Sequence, residues 1–252
     1  MSLLPYWIEH PNTTSTTNIW VNCDSLPNGT ASFYISYGNS SATTTESGAD
    51  TFSFFDDFLG VALDTGKWVS WGSPTVTVSN SEMKFKGANN YVGIYNSVTF
   101  GYNYSLRSRV KMDSTSDGQS IGFESSGSPS HILYGRVSAP AWALRTSIGG
   151  TETTTTITSD TNYHIVDLSR ISGLVTLILD GTATVTSTTN LPTTSLTFPT
   201  FTSWAIATYI YSDWVLVRPY VSSEPTVTTW GIKEPLVSGG ISLGSANMMM
   251  VG

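Results

Sequence analysis

Charged side chains are scarce in this chain of 252 residues: Asp, Glu, Lys and Arg make up 12% of it, against about 25% in ordinary soluble domains. The 11 basic residues are outnumbered by 18 acidic ones, so the net charge is −7. The basic residues are also scattered along the sequence. A protein that binds a nucleic-acid duplex needs a basic footprint that neutralises phosphates. Nucleic acid is therefore not expected as a partner.

Cysteine and histidine are nearly absent. The single cysteine, Cys23, cannot form an intrachain disulfide, and its position in VNCDS is typical of a small apolar residue on a strand. The three histidines, His10, His131 and His164, form no His-x-His or His-Glu-x-x-His pair. Zinc binding is therefore not expected.

Long apolar runs are missing too. No stretch approaches 18 apolar residues, so no membrane span is predicted. The N-terminal MSLLPYWIEH has neither the basic region nor the apolar run of a signal peptide. The composition is nevertheless that of an exported protein, because Ser and Thr make up about 29% of the chain and lysine is rare. We expect an extracellular, cell-surface or virion-surface location, reached by a removed leader or by lysis.

The residues that are abundant favour β-structure. Aromatic residues make up 12% of the chain, and Thr, Val, Ile, Tyr, Phe and Trp all favour strands. No helical periodicity extends beyond about two turns, whereas strand-like segments recur every 8–12 residues, as in β-sandwiches and jelly rolls. The Asp180-Gly181 pair between LVTLIL and ATVTS is the strongest hairpin signal. The fold class predicted is all-β, an antiparallel β-sandwich.

Three segments are predicted along the chain. Residues 1–50 form a short N-terminal β segment, with strands at 3–9, 18–23 and 30–37, a turn at 26–29 and then a polar linker. Residues 51–222 form the sandwich. Residues 223–252 form a C-terminal arm and a Gly-rich tail that ends in MMMVG, and we expect the apolar end of that tail to be buried on its own domain or on a neighbour.

Several motifs carry a family resemblance. LLPYWIE, NIWVNCDSLPNGTASFYISYGNSSATT and FFDDF resemble the C-terminal part of a domain of unknown function found on archaeal and bacterial surface proteins. FFDDF…LDTGKW, YHIVDLSRISGLVTLILDG and SDWVLVRPYVSSEPTVTTWG resemble strands of the concanavalin A-like lectin/glucanase (laminin G-like) module that follows it there. The resemblance implies a jelly roll of two antiparallel sheets, preceded by a truncated N-terminal domain.

The superfamily includes laminarinase-like glycosidases, which resemble one another in a Glu-x-Asp-x-x-Glu signature. No glutamate in this chain is followed by Asp two residues later, so that signature is absent. Glu124, in IGFES, is a lone carboxylate near the middle of the predicted sandwich. The sequence therefore favours a non-catalytic module over a glycoside hydrolase.

The adjacent carboxylates of FFDDF raise the question of a metal site. Adjacent strand residues point to opposite faces, and Asp56 shares its parity with Phe54 and Phe58. The simplest interpretation is an entry strand whose aspartates accept hydrogen bonds from neighbouring backbone N–H groups. The alternative is calcium, which takes six to eight oxygen ligands; the candidate ligands are Asp56, Asp57, Asp64 and Asp213.

A ligand-binding face is predicted from aromatic and arginine residues in HILYGRVSAPAWALRTS and YSLRSRVK. An aromatic ring with planar polar partners can hold a glycan or an acidic sugar. The candidates are Trp142, Tyr134, Arg136, Arg145, Arg107 and Arg109. The competing interpretation is that the two aromatic residues belong to the core and the arginines are solvated.

Two main functions follow. The first is a lectin-like surface module that binds glycans or another surface polymer in adhesion or recognition. The second is a structural virion or filament subunit (fibre, decoration or surface protein) that self-associates or binds a partner subunit through residues 1–50 and 238–252.

Overall fold

The computed structural model of the protein describes residues 4–11, 16–23, 32, 34–35, 41, 46–87, 91–113, 118–125, 130–138, 141–193, 196–203, 208–220, 222–224 and 245–251. The chain divides into two compact units. One unit combines residues 1–53 with 222–252, so the C-terminal tail shares a unit with the N-terminal segment; the other is residues 54–221.

The described elements are almost entirely strands. In chain order they are β1 (Tyr6–Ile8), β2 (Thr16–Asn22), α1 (Gly48–Thr51), β3 (Phe54–Asp56), β4 (Val69–Trp71), β5 (Thr75–Ser79), β6 (Glu82–Lys86), β7 (Val92–Tyr95), β8 (Thr99–Phe100), β9 (Tyr104–Met112), β10 (Gln119–Glu124), β11 (His131–Ser138), β12 (Ala141–Ile148), β13 (Thr151–Ile157), β14 (His164–Ile171), β15 (Leu174–Leu179), β16 (Ala183–Ser187), β17 (Leu196–Ser203), β18 (Ile210–Pro219) and β19 (Ser245–Val251).

The smaller unit is built on a three-stranded sheet in the order β1-β2-β19. β1 pairs antiparallel with β2, and β19 from the tail pairs parallel with β2. Most of the strand predicted at 30–37, and all of the turn predicted at 26–29, lie outside the described residues. Two tryptophans, Trp7 and Trp20, each pack edge-on against Phe52 at 5.7 Å. The Trp20 indole also donates to the buried carboxylate of Glu9 at 2.9 Å.

The larger unit is the expected all-β antiparallel sandwich, which the structure confirms. One sheet, here called the front sheet, has the order β13-β12-β11-β10-β17-β7-β4, with β8 paired to β17. The other, the back sheet, has the order β16-β15-β14-β9-β18-β6-β5, with β3 paired to β18. Every pairing described in the two sheets is antiparallel.

The core follows from strand alternation. In β6, EMKFK, Met83 and Phe85 are fully buried while the charged residues beside them are not. In β15, LVTLIL, alternate residues are buried in the same way. Because side chains on one strand point alternately to opposite faces, each sheet presents one apolar face to the other sheet. The opposite faces are left for polar side chains.

The predicted Asp180-Gly181 hairpin is confirmed between β15 and β16. Both residues have positive φ, 52° and 69°, as a tight two-residue turn requires. The Asp180 carboxylate accepts a hydrogen bond from the Ile165 backbone N–H at 2.8 Å and lies 2.7 Å from Nδ1 of His164. The turn is thereby tied to the start of the neighbouring strand β14.

Candidate functional site

The two aromatic residues of the predicted binding face lie inside the sandwich. Trp142 is 4% exposed and Tyr134 is 1% exposed. Their rings stack at 5.7 Å with an interplanar angle of 17°, and the Tyr134 hydroxyl lies 2.8 Å from Oγ of Ser159. They occupy core positions because they alternate with the outward-facing residues of β11 and β12. A ligand at the surface cannot reach either ring, so the expected face does not contain them.

The candidate arginines are divided between the two sheets. Arg145 lies on the outer face of the front sheet, where it pairs with Glu152. Arg107 and Arg109 lie on the outer face of the back sheet, paired with Asp167 and Asp213. These two groups face away from each other across the sandwich, so they cannot form one site. The Arg136 side chain lies outside the described residues.

The outer face of the front sheet carries a row of polar residues. Strand register aligns Glu124 with His131, His131 with Ser147, and Ser147 with Glu152 across four neighbouring strands, β10 to β13. Arg145, two residues from Ser147, shares this face. Its Nη2 and Nε donate to Oε2 of Glu152 at 2.6 and 3.1 Å. Nε2 of His131 reaches the same oxygen at 3.0 Å.

Two aromatic residues extend this face on the side of β4 and β7. The hydroxyl of Tyr91 lies 3.2 and 3.3 Å from the two carboxylate oxygens of Glu124. The rings of Tyr91 and Trp71 meet edge-on at 5.0 Å, and both residues are half-buried. Trp71 lies over Gly93, where an added Cβ would come within 2.5 Å of the indole nitrogen. The residue at 93 thus leaves room for the tryptophan. We call Trp71, Tyr91, Glu124, His131, Arg145 and Glu152 the front-face cluster.

Burial dominates the electrostatics of the front-face cluster. It raises the pKa of Glu124 above the usual glutamate value, against the opposing effects of the Tyr91 hydrogen bond and the Arg145 charge. Burial likewise raises the pKa of Tyr91, with the Glu124 charge adding to it. Burial and Arg145 lower the pKa of His131, so its neutral form is favoured. For Glu152, burial favours a higher pKa, but the hydrogen bonds and charges of Arg145 and His131 together outweigh burial, so the pKa is lowered.

The two glutamates of the front-face cluster lie on strands that are not neighbours in the sheet. Glu124 and Glu152 lie three strand intervals apart, or about 14 Å between backbones at about 4.8 Å per interval. The Glu124 carboxylate contacts Tyr91, on the side away from β13. The Glu152 carboxylate reaches back across the sheet to Nε2 of His131 on β11, at 3.0 Å. Both glutamates are thus held by neighbouring side chains of the front-face cluster.

The structure does not gather the four candidate calcium ligands into one site. The carboxylate of Asp56 accepts hydrogen bonds from three protein donors, Asp64 accepts one from the backbone N–H of Gly66 at 2.8 Å, and Asp213 pairs with Arg109. Asp57 is half-exposed, and burial raises its pKa. Among the described residues, no group of three or more His, Cys, Asp or Glu side chains could hold a metal ion.

A family model matches the N-terminal part of the chain and extends into the larger unit. Residues 1–71 match the family model described as a domain of unknown function, DUF2341. This supports the resemblance of the N-terminal motifs. No curated protein sequence matches the chain. In the part of the chain that the structure describes, no helix is long and apolar enough to cross a membrane.

Solved structures of similar fold include proteins described as glycosyl hydrolases and glucanases. A glycosyl hydrolase family 16 protein of Mycobacterium smegmatis is 17% identical, with a TM-score of 0.52, and covers 66% of this chain and 99% of its own. A β-1,3-glucanase of Mycobacterium marinum is 17% identical, with a TM-score of 0.51, and the match covers 66% of this chain and 98% of the glucanase. An immunostimulatory antigen and pseudo β-1,3-glucanase of Mycobacterium tuberculosis is 16% identical, with a TM-score of 0.51, and the match covers 68% of this chain and 99% of that protein. The sandwich therefore has the concanavalin A-like jelly-roll fold of the family 16 type.

Half of the front-face cluster carries no sequence signal that singles it out. The sequence identifies Glu124 as a lone carboxylate and Arg145 as a binding candidate, but it assigns no role to Trp71, Tyr91 and Glu152. Alternation along β12 places Arg145 on the other face of the strand from Trp142 and Leu144. It could therefore have assigned the arginine and the tryptophan to different faces of the sheet. The pairing of β4 with β7 is long-range information that local patterns do not contain. By contrast, β12 and β13 form a hairpin through Gly149-Gly150, and this Gly-Gly turn is a signal that could have paired Glu152 with the strand of Arg145.

Proposed function

We propose that this protein is a non-catalytic, lectin-like module of an extracellular or cell-surface protein, and that it binds a glycan on the front-face cluster. The observation that carries the proposal is the combination of the half-buried Trp71–Tyr91 pair with three charged side chains, Glu124, Arg145 and Glu152, on one face of one sheet. The carbohydrate-related fold supports it.

The chemistry of the front-face cluster suits a sugar. An aromatic ring offers an apolar surface for the C–H face of a pyranose, with a polar edge for orientation. Carboxylates accept hydrogen bonds from hydroxyl groups, and the Arg145 guanidinium donates several in a fixed plane. Because Arg145, His131 and Glu152 already hold one another in position, little side-chain entropy would be lost on binding.

A glycan array with the full chain, followed by calorimetry on the best sugar, tests the proposal. We expect Trp71→Ala to weaken binding by about tenfold or more, the loss expected of an aromatic anchor. Tyr34→Ala is the control, because Tyr34 is a 78% exposed aromatic residue in the other unit. Binding of no glycan by the wild type, or equal binding by Trp71→Ala, would refute the proposal.

A second function is favoured by one specific observation. The tail forms strand β19 at an edge of the small sheet, paired parallel to β2 over seven residues. A terminal strand that completes a sheet within one chain can do so between two copies, which is the basis of domain-swapped assembly. A structural subunit that assembles through its termini would use this strand.

Light scattering of the native particle, with and without residues 238–252, distinguishes the two functions. A defined oligomer or filament that the truncation dissolves would support the structural subunit. A monomer in both cases would leave β19 as an intrachain strand and remove the support for assembly.

A further inference from the structure

The outer face of the back sheet brings together basic residues that are far apart in the sequence. Lys84 and Lys111 both lie directly opposite Tyr211, one on each neighbouring strand. The Lys111 Nζ is 4.0 Å and the Lys84 Nζ 5.2 Å from the centre of the Tyr211 ring. A row of lysine, tyrosine and lysine therefore crosses β6, β18 and β9.

The row continues in both directions. The Nζ of Lys86 lies 5.1 Å from the ring centre of Tyr209, and the guanidinium of Arg109 lies 3.9 Å from that of Tyr163. We call Lys84, Lys86, Arg109, Lys111, Tyr163, Tyr209 and Tyr211 the lysine–tyrosine face. It holds four of the 11 basic residues of a chain whose net charge is −7. The scattered distribution in the sequence is thus replaced by a cluster in the fold.

The local sequences explain the cluster. K-F-K at 84–86 and R-V-K at 109–111 each place two cations on one face of a strand and an apolar residue between them on the other. Y-I-Y at 209–211 does the same with two tyrosines. Phe85, Val110 and Ile210 are each at most 1% exposed and belong to the core. Alternation therefore requires the flanking cations and rings to face outward.

In the part of the chain that the structure describes, the acidic groups around the face do not pair with all of its cations. Asp213 pairs with Arg109, and Glu82 contacts the Tyr163 hydroxyl and lies 3.9 Å from Lys84. Asp113 accepts hydrogen bonds from the Tyr209 backbone N–H at 2.6 Å and the Tyr211 hydroxyl at 3.3 Å. Among the described residues, neither Lys86 nor Lys111 has a carboxylate within ion-pair distance. Their ammonium groups are held by rings, which attract a cation without neutralising it.

We propose that the lysine–tyrosine face is a second binding site, independent of the front-face cluster, for an anionic polysaccharide that carries carboxylate or sulfate groups. A lysine ammonium is a compact point charge with three donors, suited to single oxyanions. The tyrosine rings restrict the lysine side chains before binding, which lowers the entropy cost of fixing them on a ligand.

Charge spacing favours a sparse polyanion over a nucleic acid. The backbones of Lys84 and Lys111 lie two strand intervals apart, about 9.6 Å. Both ammonium groups turn toward the Tyr211 ring, 5.2 and 4.0 Å from its centre, so the two charges lie within about 9 Å of each other. A DNA duplex carries one negative charge per about 1.7 Å of its axis, and the rest of this acidic chain would repel it. A polysaccharide with one acidic group per sugar or disaccharide matches the wider spacing.

The test is binding of polygalacturonate to the full chain, with neutral dextran and duplex DNA as comparison probes. We expect polygalacturonate to bind and its affinity to fall steeply between about 0.01 M and 1 M salt, over which the Debye length falls from about 30 Å to about 3 Å. Neutral dextran should not bind at this face. Tighter binding of duplex DNA than of polygalacturonate would overturn the proposal.

Matched variants locate the site. Lys84→Gln with Lys111→Gln should weaken polygalacturonate binding by about tenfold at low salt, whereas Lys84→Arg with Lys111→Arg should stay within about threefold of wild type. Tyr211→Leu removes the ring that holds both lysines and should weaken binding by about fivefold, while Tyr211→Phe keeps it. Equal binding by the double Gln variant and the wild type would overturn the proposal. Tyr34→Ala, in the other unit, should leave polygalacturonate binding unchanged, and a loss of binding in this control would overturn the assignment of the site to the lysine–tyrosine face.

Discussion

The indole N–H of Trp68 donates a 2.6 Å hydrogen bond to Oδ2 of Asp56, a residue that is only 4% exposed. The other carboxylate oxygen accepts from the Phe58 backbone N–H at 3.1 Å and from the Lys67 ammonium at 3.3 Å. The Trp68 ring packs edge-on against Phe54 at 5.3 Å and stacks with Phe58 at 6.0 Å. The FFDDF…KW motif is therefore a buried anchor at the start of the sandwich.

The two adjacent aspartates should differ sharply in their effect on stability. Asp56→Asn replaces a buried, charged acceptor with an amide and should lower the free energy of unfolding by about 2 kcal/mol. Asp57→Asn is the matched control. Because burial already raises the pKa of Asp57 and so disfavours its charge, this variant should change the free energy by less than about 0.5 kcal/mol.

Urea unfolding of both variants, followed by tryptophan fluorescence, measures the difference. Equal destabilisation by the two substitutions would show that the pair acts as a unit. A neutral Asp56→Asn would mean that the Trp68 and Lys67 contacts contribute nothing net to folding.

Calcium gives a separate test of the same segment. We expect thermal unfolding of the protein to have the same midpoint in excess calcium and in a chelator, because the Asp56 oxygens are engaged by protein donors. A ligand that binds the native state at 100 times its Kd adds about 2.7 kcal/mol of stability. A calcium-dependent rise of the midpoint that Asp64→Asn abolishes would restore the calcium site.

The pH dependence of stability should carry a signature of Glu124. Its folded pKa is raised, chiefly by burial, so the native state retains the proton over a range in which the unfolded chain has lost it. Stability therefore falls as the pH rises from the ordinary glutamate value, about 4.3, through the folded pKa, and is level above it. Glu124→Gln should remove this fall, so its stability relative to wild type should increase across that window.

Glu152 should show the opposite sign. Arg145 and His131 lower its pKa against the effect of burial, so its contribution is fully present above the ordinary value of about 4.3 and is lost as the pH falls through the folded pKa. Glu152→Gln should therefore lose stability relative to wild type above that window. Unfolding free energies of both variants from pH 3 to 8 provide the comparison, and curves of the same sign would contradict the assigned environments.

The entry strand and the Asp180-Gly181 turn could both be predicted from short stretches of the sequence. Alternation groups Phe54, Asp56 and Phe58 on one face of the entry segment. Phe54 and Phe58 join the core between the sheets, whereas Phe55 is buried outside that core. The Asp180-Gly181 turn was identified because few residues other than glycine, Asn and Asp tolerate positive φ. Both results depend on contacts within a few residues of the chain.

The binding faces depend on register between distant strands. Lys84 meets Tyr211 and Lys111 only because β18 lies between β6 and β9, and no local pattern records that order. Alternation in AWALRTS separates Trp142 from Arg145 but does not state which side is the core. The binding prediction mixed the two sides, whereas burial assigns Trp142 to the interior and Arg145 to the surface.

Trp71 lies directly over Gly93, so the size of residue 93 affects the position of the indole. A Cβ at residue 93 would lie 2.5 Å from the indole nitrogen and 2.8 Å from Cε2, so Gly93→Ala must displace the half-buried ring. We expect this variant to weaken glycan binding nearly as much as Trp71→Ala, and to cost about 1 kcal/mol of stability through overpacking.

A double-mutant cycle separates the displaced ring from a general disturbance of β7. In a Trp71→Ala background the clash is absent, so Gly93→Ala should there cost less stability, with a coupling of at least about 0.5 kcal/mol, and should cause no further loss of glycan binding. Additive effects of the two substitutions would mean that Gly93 acts through the backbone of β7 and not through Trp71. In that case the aromatic end of the front-face cluster would not depend on a glycine at this position.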